Sequence, residues 1–147
     1  MTVKPRPEGY HSVTPYLVVP GARELITFLK RVFGAVELAP PMEGPGGVIA
    51  HAELRLGDSP VMMSEASAEY PAMPAMLYVY MDEEVDVVYQ RALNAGATSV
   101  REPADQFYGD RSAMVRDGSG NLWGIANHVE DVSPEEMERR AAAELKK

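Results

Sequence analysis

Cysteine is absent from the 147 residues, which removes disulfide frameworks, thiolate zinc sites and a cysteine nucleophile together. No apolar run approaches the roughly 18 residues that a membrane-spanning helix needs. No charged-then-apolar leader opens the chain, so a cytoplasmic protein without a membrane partner is expected. Positive charge is scarce as well. Fourteen Lys and Arg stand against 22 Asp and Glu, 14 − 22 = −8, with the acidic residues spread along the chain. Such a surface disfavours phosphate backbones and anionic lipid, and nucleic acid is set aside as a partner. What is present is a globular composition, 46% hydrophobic with 12 Gly and 12 Pro. A chain of this length buries roughly 68–70% of its unfolded surface, enough for one core or two small fused ones.

The first dozen residues, with Lys4, Pro5, Arg6, Pro7 and Glu8, are too rich in proline and charge to pack, and an extended arm is expected over 1–12. Residues 13–19 are short, β-branched and aromatic, and stop at Pro20-Gly21 as a strand does. Leu25, Phe28, Leu29 and Val32 then follow the spacing of one helical face, with Gly34 as a left-handed stop. Residues 48–56 alternate strictly, and Gly57-Asp58-Ser59 turns them into a second strand over 61–64. The same order returns after a Pro-containing linker over 65–75. A strand over 76–81, an N-cap at Asp82, a helical face of Val85, Val88, Tyr89, Ala92 and Leu93 closed by Gly96, and strands over 99–102, 112–116 and 122–127 follow.

Counting exposes a duplication. Leu25 with Val85 and Phe28 with Val88 differ by 60, and Arg55 with Arg116 and Gly57 with Gly118 by 61. The expected architecture is α+β: two tandem βαβββ modules, 13–64 and 76–130, forming a curved mixed sheet around a cavity with the helices outside. A C-terminal helix over 131–147 follows, its start marked by Ser133-Pro134-Glu135-Glu136 as N-cap, first-turn proline and capping-box glutamate.

Duplicated modules of this size, with Tyr10-His11-Ser12-Val13-Thr14-Pro15-Tyr16-Leu17, His51-Ala52-Glu53-Leu54, Asp105-Gln106-Phe107-Tyr108-Gly109-Asp110-Arg111 and Trp123, resemble the vicinal oxygen chelate superfamily over residues 10–132, in particular its PhnB-like branch. That superfamily includes glyoxalase I, extradiol dioxygenases, fosfomycin-inactivating transferases and the bleomycin-resistance binding proteins. The resemblance implies dimers and, in the enzymes, a divalent metal held by a ligand on the first strand and a carboxylate on the last strand of each half. By the 60 and 61 offsets those positions fall on Thr14, Pro74, Met63 and Gly124. None is a normal ligand for a hard cation except, weakly, Thr14, so no superfamily-type metal site and no cofactor are expected; a divalent metal in some other arrangement is the alternative.

Alternation then sets the expected cavity lining: Tyr16, Met63, Glu65, Met76, Tyr78, Met114, Leu122 and Gly124, an apolar and aromatic set suited to a small organic ligand. His51 and Glu53 are the acid/base candidates, because i and i+2 on a strand lie on one face about 7 Å apart. Their alternative is a structural hydrogen-bonded pair. Tyr108 and Arg111, in a glycine-containing loop expected at the cavity mouth, offer a hydroxyl and a carboxylate-binding fork. His11 and His128 read as edge or interface histidines and Trp123 as core. Two functions follow: a homodimer that binds a small organic molecule without the metal site, or a lyase, isomerase or dioxygenase working through His51, Glu53 and Tyr108. The sequence does not decide whether the chain is an enzyme.

Overall fold

A computed structural model describes residues 2–146. The chain divides into two units. The first comprises residues 2–75 together with 117–121, the second 76–116 and 122–146.

In the first unit β1 (Tyr16–Val19) leads into α1 (Ala22–Phe33), followed by the two-residue strands β2 (Val36–Glu37) and β3 (Met42–Glu43) and the hairpin β4 (Ile49–Leu56) and β5 (Ser59–Glu65). The strand order is β1-β5-β4-β2, with β3 also on β4. β1 is parallel to β5 and the other pairs are antiparallel. The amphipathic spacing of α1 buries Leu25, Phe28, Leu29 and Val32 against a sheet face of Leu17, Val19, Ala52, Leu54, Val61 and Met63. Each such side chain contributes about 1.5–3 kcal/mol. Gly34, at φ 66°, ends the helix in the left-handed conformation that only glycine adopts without strain.

Residues 117–121, the turn between the last two strands of the chain, group with this unit. Asp117 caps the turn by accepting from Ser119 N and Asn121 N, Ser119 Oγ donates to Pro20 O at 2.7 Å, and Ala75 N donates to the buried Asn121 Oδ1 at 3.0 Å.

The second unit repeats the plan: β6 (Met76–Tyr80), α2 (Val85–Asn94), β7 (Thr98–Asp105), β8 (Asp110–Arg116) and β9 (Leu122–His128), ordered β6-β9-β8-β7 with β6 parallel to β9. α2 buries Val85, Val88 and Ala92 over Ala113, Val115, Ile125 and the fully enclosed Trp123. The helix starts two residues later than the Asp82 cap predicts. Glu84 is the N-cap residue and its side chain makes no cap, because Asn127 Oδ1 accepts from Val85 N at 2.9 Å instead. α3 (Pro134–Glu144) begins as predicted, with Ser133 Oγ accepting from Glu136 N.

Candidate functional site

Strand register decides which side chains share a face, since cross-strand partners point the same way. In the first sheet Tyr16 pairs with Met62 and Met62 with Glu53, so these three and His51 lie on the face turned away from α1. A polar chain runs across it. The Tyr16 hydroxyl lies 3.0 Å from His51 Nδ1, donating when that nitrogen is unprotonated, and the two rings stand 5.6 Å apart. His51 Nε2 is 3.7 Å from Glu53 Oε2, ion-pair range rather than a hydrogen bond. Glu53 Oε1 in turn accepts at 2.5 Å from the hydroxyl of Tyr10, which the N-terminal arm delivers. Burial, and then the adjoining Glu53, push the Tyr10 hydroxyl up to about 12. The arrangement orients an imidazole through a phenol and keeps a carboxylate in reserve, which is what a general acid/base needs.

The second sheet carries a different set on the corresponding face. Tyr78 pairs with Gly124, and Met76 with Leu122. Gly124 is required there: a Cβ added to it would stand 2.6 Å from Tyr78 Cδ1, so the tyrosine ring lies directly on the backbone. Tyr78 and Tyr80 both donate to Oδ2 of the buried Asp110 at 2.8 Å, and His128 Nδ1 lies 2.9 Å from its Oδ1. His128 Nε2 is 2.8 Å from Asp131. Burial drives the Asp110 carboxyl upward, but the donors His128, Tyr78 and Tyr80 outweigh it and hold the group below the ordinary carboxylate range. His128 is correspondingly raised, first by Asp110 and then by Asp131. Tyr78 is raised by burial and by Asp110, and Tyr80 by Asp110 and burial.

The expected lining residues Met76, Tyr78, Met114, Leu122 and Gly124 therefore share one face of the second sheet, and Tyr16, His51 and Glu53 one face of the first. Tyr108 belongs to the second unit, in the tight β7–β8 turn closed by Gln106 N to Asp110 O at 2.7 Å; its ring meets Phe107 edge-on and its hydroxyl bears on Tyr78.

Three expected residues face elsewhere. Met63 pairs with Leu17 and Ala52 and is wholly buried in the α1 core. Glu65 lies on the same side, its carboxylate accepting from Gly21 N at 2.8 Å and Ala22 N at 3.0 Å at the start of α1. Arg111 points to the helix side, where both arms of its guanidinium hold Asp86 at 2.7 and 2.9 Å and Asp105 lies at 3.2 Å. The displacement of Met63 and Glu65 has a simple origin. Arg55 pairs with Pro60, five residues on, whereas its counterpart Arg116 pairs with Leu122, six residues on, so the last strands are offset by 62 (124 − 62) rather than 61, and the counterpart of Gly124 is Met62. One residue of slip exchanges the faces.

Tyr10, Tyr80, Asp110 and His128 were not among the expected site residues. Alternation from Tyr78 to Tyr80 and from Ser112 back to Asp110 carries the signal for two of them. Among the described residues no group of three or more His, Asp or Glu side chains is placed to hold a metal ion. No helix among them is long and apolar enough to cross a membrane.

The glyoxalase/bleomycin resistance protein/dioxygenase superfamily model matches residues 9–125. The Mycobacterium bovis protein Mb0911c is 34% identical over 141 residues, covering 86% of this chain and 90% of its own. Among solved structures, TioX from Micromonospora sp. ML1 superposes with a TM-score of 0.67 at 27% identity, covering 81% of this chain and 99% of its own. PA1353 from Pseudomonas aeruginosa gives 0.63 at 19% identity, over 82% and 99%.

Proposed function

The chain belongs to the glyoxalase/bleomycin resistance protein/dioxygenase superfamily, and from that membership we propose that it binds a small organic molecule against the helix-averted face of the second sheet, without the superfamily's metal site. One observation carries the reading. The second sheet leaves Met76 58% and Tyr78 38% exposed on one face, with Gly124 making room for the Tyr78 ring. Large apolar side chains gathered on one exposed face mark a binding surface, and methionine adapts to varied shapes. The donor chemistry supports the metal-free form. The positions that the resemblance assigns to ligands, Thr14, Pro74 and Gly124, with Met62 taking the place of Met63 by strand register, supply neither the imidazole nor the carboxylate that a hard divalent cation prefers. The motif around residues 10–17 and the sequence 105–111 favour the PhnB-like branch, and a cytoplasmic homodimer is the form in which we expect it to work.

A second reading rests on the Tyr16, His51, Glu53 and Tyr10 chain, which suits metal-independent proton transfer by a lyase or isomerase. Metal analysis of protein purified without chelator or affinity metal, joined to calorimetric titration of Mn²⁺, Ni²⁺, Zn²⁺ and Fe²⁺, separates the possibilities. The binding reading expects no stoichiometric metal and no turnover of thiohemiacetal, catechol or fosfomycin-type substrates. Sub-micromolar metal binding that is lost in His51→Ala overturns it.

A further inference from the structure

Arg101 is placed by an irregularity. β7 pairs Ser99 with Val115, then Arg101 with Met114, then Ala104 with Ser112, so one extra residue is inserted on each side of Arg101. Without the first insertion Val100 would oppose Met114, and Arg101 would oppose Ala113 beneath α2. The bulge moves Arg101 to the other face of the sheet, and Pro103, which has no N–H to give a ladder, sits within the second. Bulges of this kind re-aim a side chain at the cost of ladder hydrogen bonds.

The side chain so aimed donates from Nη2 to Oγ of the fully buried Ser112 at 2.9 Å, on the face that holds Tyr78, Met114 and Gly124. The Ser112 hydroxyl also bears on Tyr78. One of five guanidinium N–H donors is thereby used. Arg23, Arg91, Arg111, Arg139 and Arg140 each hold a carboxylate. Among the described residues Arg101, like Arg6, Arg55 and Arg116, has no carboxylate within ion-pair distance, in a chain whose net charge is −8. A guanidinium fixed by a neutral hydroxyl, beside exposed methionine and tyrosine, keeps a planar fork free for two oxygens of one acceptor.

We propose that Arg101 is the anion-recognising residue of this sheet face, and that the molecule bound there is an organic carboxylate with an apolar or aromatic body. The body lies on Met76, Tyr78 and Met114, and the carboxylate is held by the free arms of the Arg101 guanidinium. This inference rests on the small-molecule reading of the same face and adds the charge of the ligand.

The test uses the full chain and a matched pair of probes, 2-naphthoate and the uncharged 2-naphthamide. Binding is followed by NMR of the methionine methyl groups, in the wild type and in Arg101→Gln, Arg101→Lys and, as a charge control on the tail helix, Arg139→Gln. The expected result is that naphthoate binds the wild type at least tenfold tighter than the amide and shifts Met76 and Met114. Arg101→Gln loses that preference without changing affinity for the amide, Arg101→Lys retains part of it, and Arg139→Gln retains all of it. If Arg101→Gln does not fold, the partial loss in Arg101→Lys against full retention in Arg139→Gln decides. Equal binding of acid and amide to the wild type, or a preference that survives in Arg101→Gln, overturns the anion assignment while the small-molecule reading stands. Binding of neither probe at millimolar concentration overturns both.

Discussion

Glu65 and Asn127 stand 127 − 65 = 62 residues apart and do the same work, each reaching from the end of its sheet's last strand to the first N–H groups of its unit's helix. Neither helix has a capping side chain of its own, since Gly21 and Glu84 occupy the N-cap positions without making that bond. The cap is thus supplied from a strand, which ties helix to sheet. Glu65 adds a negative charge where the α1 dipole favours one. Asn127 further donates to Met81 O and Glu83 O, holding the connection into α2.

Glu65→Ala and Asn127→Ala are therefore each expected to destabilise the fold by about 1–2 kcal/mol, the range of a lost helix cap, with the larger loss for Asn127. Urea unfolding at neutral pH measures both. Losses near zero would mean that the strand-borne caps contribute nothing.

Gly124→Ala inserts a methyl group into the space taken by the Tyr78 ring. Overpacking of this kind costs about 1–3 kcal/mol, and here it also pulls the Tyr78 hydroxyl from Asp110. Thermal melting of the single variant should show the loss, and Tyr78→Leu combined with Gly124→Ala should recover part of it by removing the clash.

Gly109 has φ 99°, and an added Cβ would lie 2.3 Å from Glu130 O, while its own carbonyl accepts from Val129 N and Glu130 N. Gly109→Ala is expected to cost about 2–4 kcal/mol, combining left-handed strain with a backbone clash. Hydrogen exchange should show the amides of Val129 and Glu130 losing protection first.

The Asp110–His128 pair sets a pH dependence of definite sign. His128 is raised above its ordinary 6.5 by Asp110 and Asp131, so its contribution is fully present below pH 6.5 and is lost as pH rises through the folded value. Asp110 is lowered below its ordinary 3.8, so its contribution is present above 3.8 and is lost as pH falls through the folded value. Stability should decline from pH 6.5 to 9 in the wild type and stay flatter there in His128→Gln. In Asp110→Asn the NMR titration midpoint of His128 should drop toward 6.5 yet stay above it, because Asp131 remains at 2.8 Å.

Much of the fold is legible in the sequence. Leu25, Phe28, Leu29 and Val32 announce α1 by spacing, His51 and Glu53 their shared face by alternation, and Gly34 the end of the helix. The β2 and β3 strands are not, because two residues leave no period to read. The sequence places Met63 and Glu65 on the wrong face for one reason: the connection sets register, and the span from Arg55 to its partner Pro60 is one residue shorter than that from Arg116 to Leu122. Arg101 was invisible because a bulge breaks the alternation that would have placed it. Asp110 and His128 meet only through antiparallel pairing of strand ends 18 residues apart.

The grouping of residues 117–121 with the first unit bears on the order in which the chain can fold during synthesis. A nascent chain that has passed residue 75 holds every strand of the first sheet, but neither the Ser119 hydroxyl for Pro20 O nor the Asn121 carbonyl for Ala75 N has yet been translated. At roughly 5–20 residues per second the missing segment follows within a few seconds to about ten. During that interval the first sheet has its strands but lacks these two tethers, which arrive in the turn of the second hairpin.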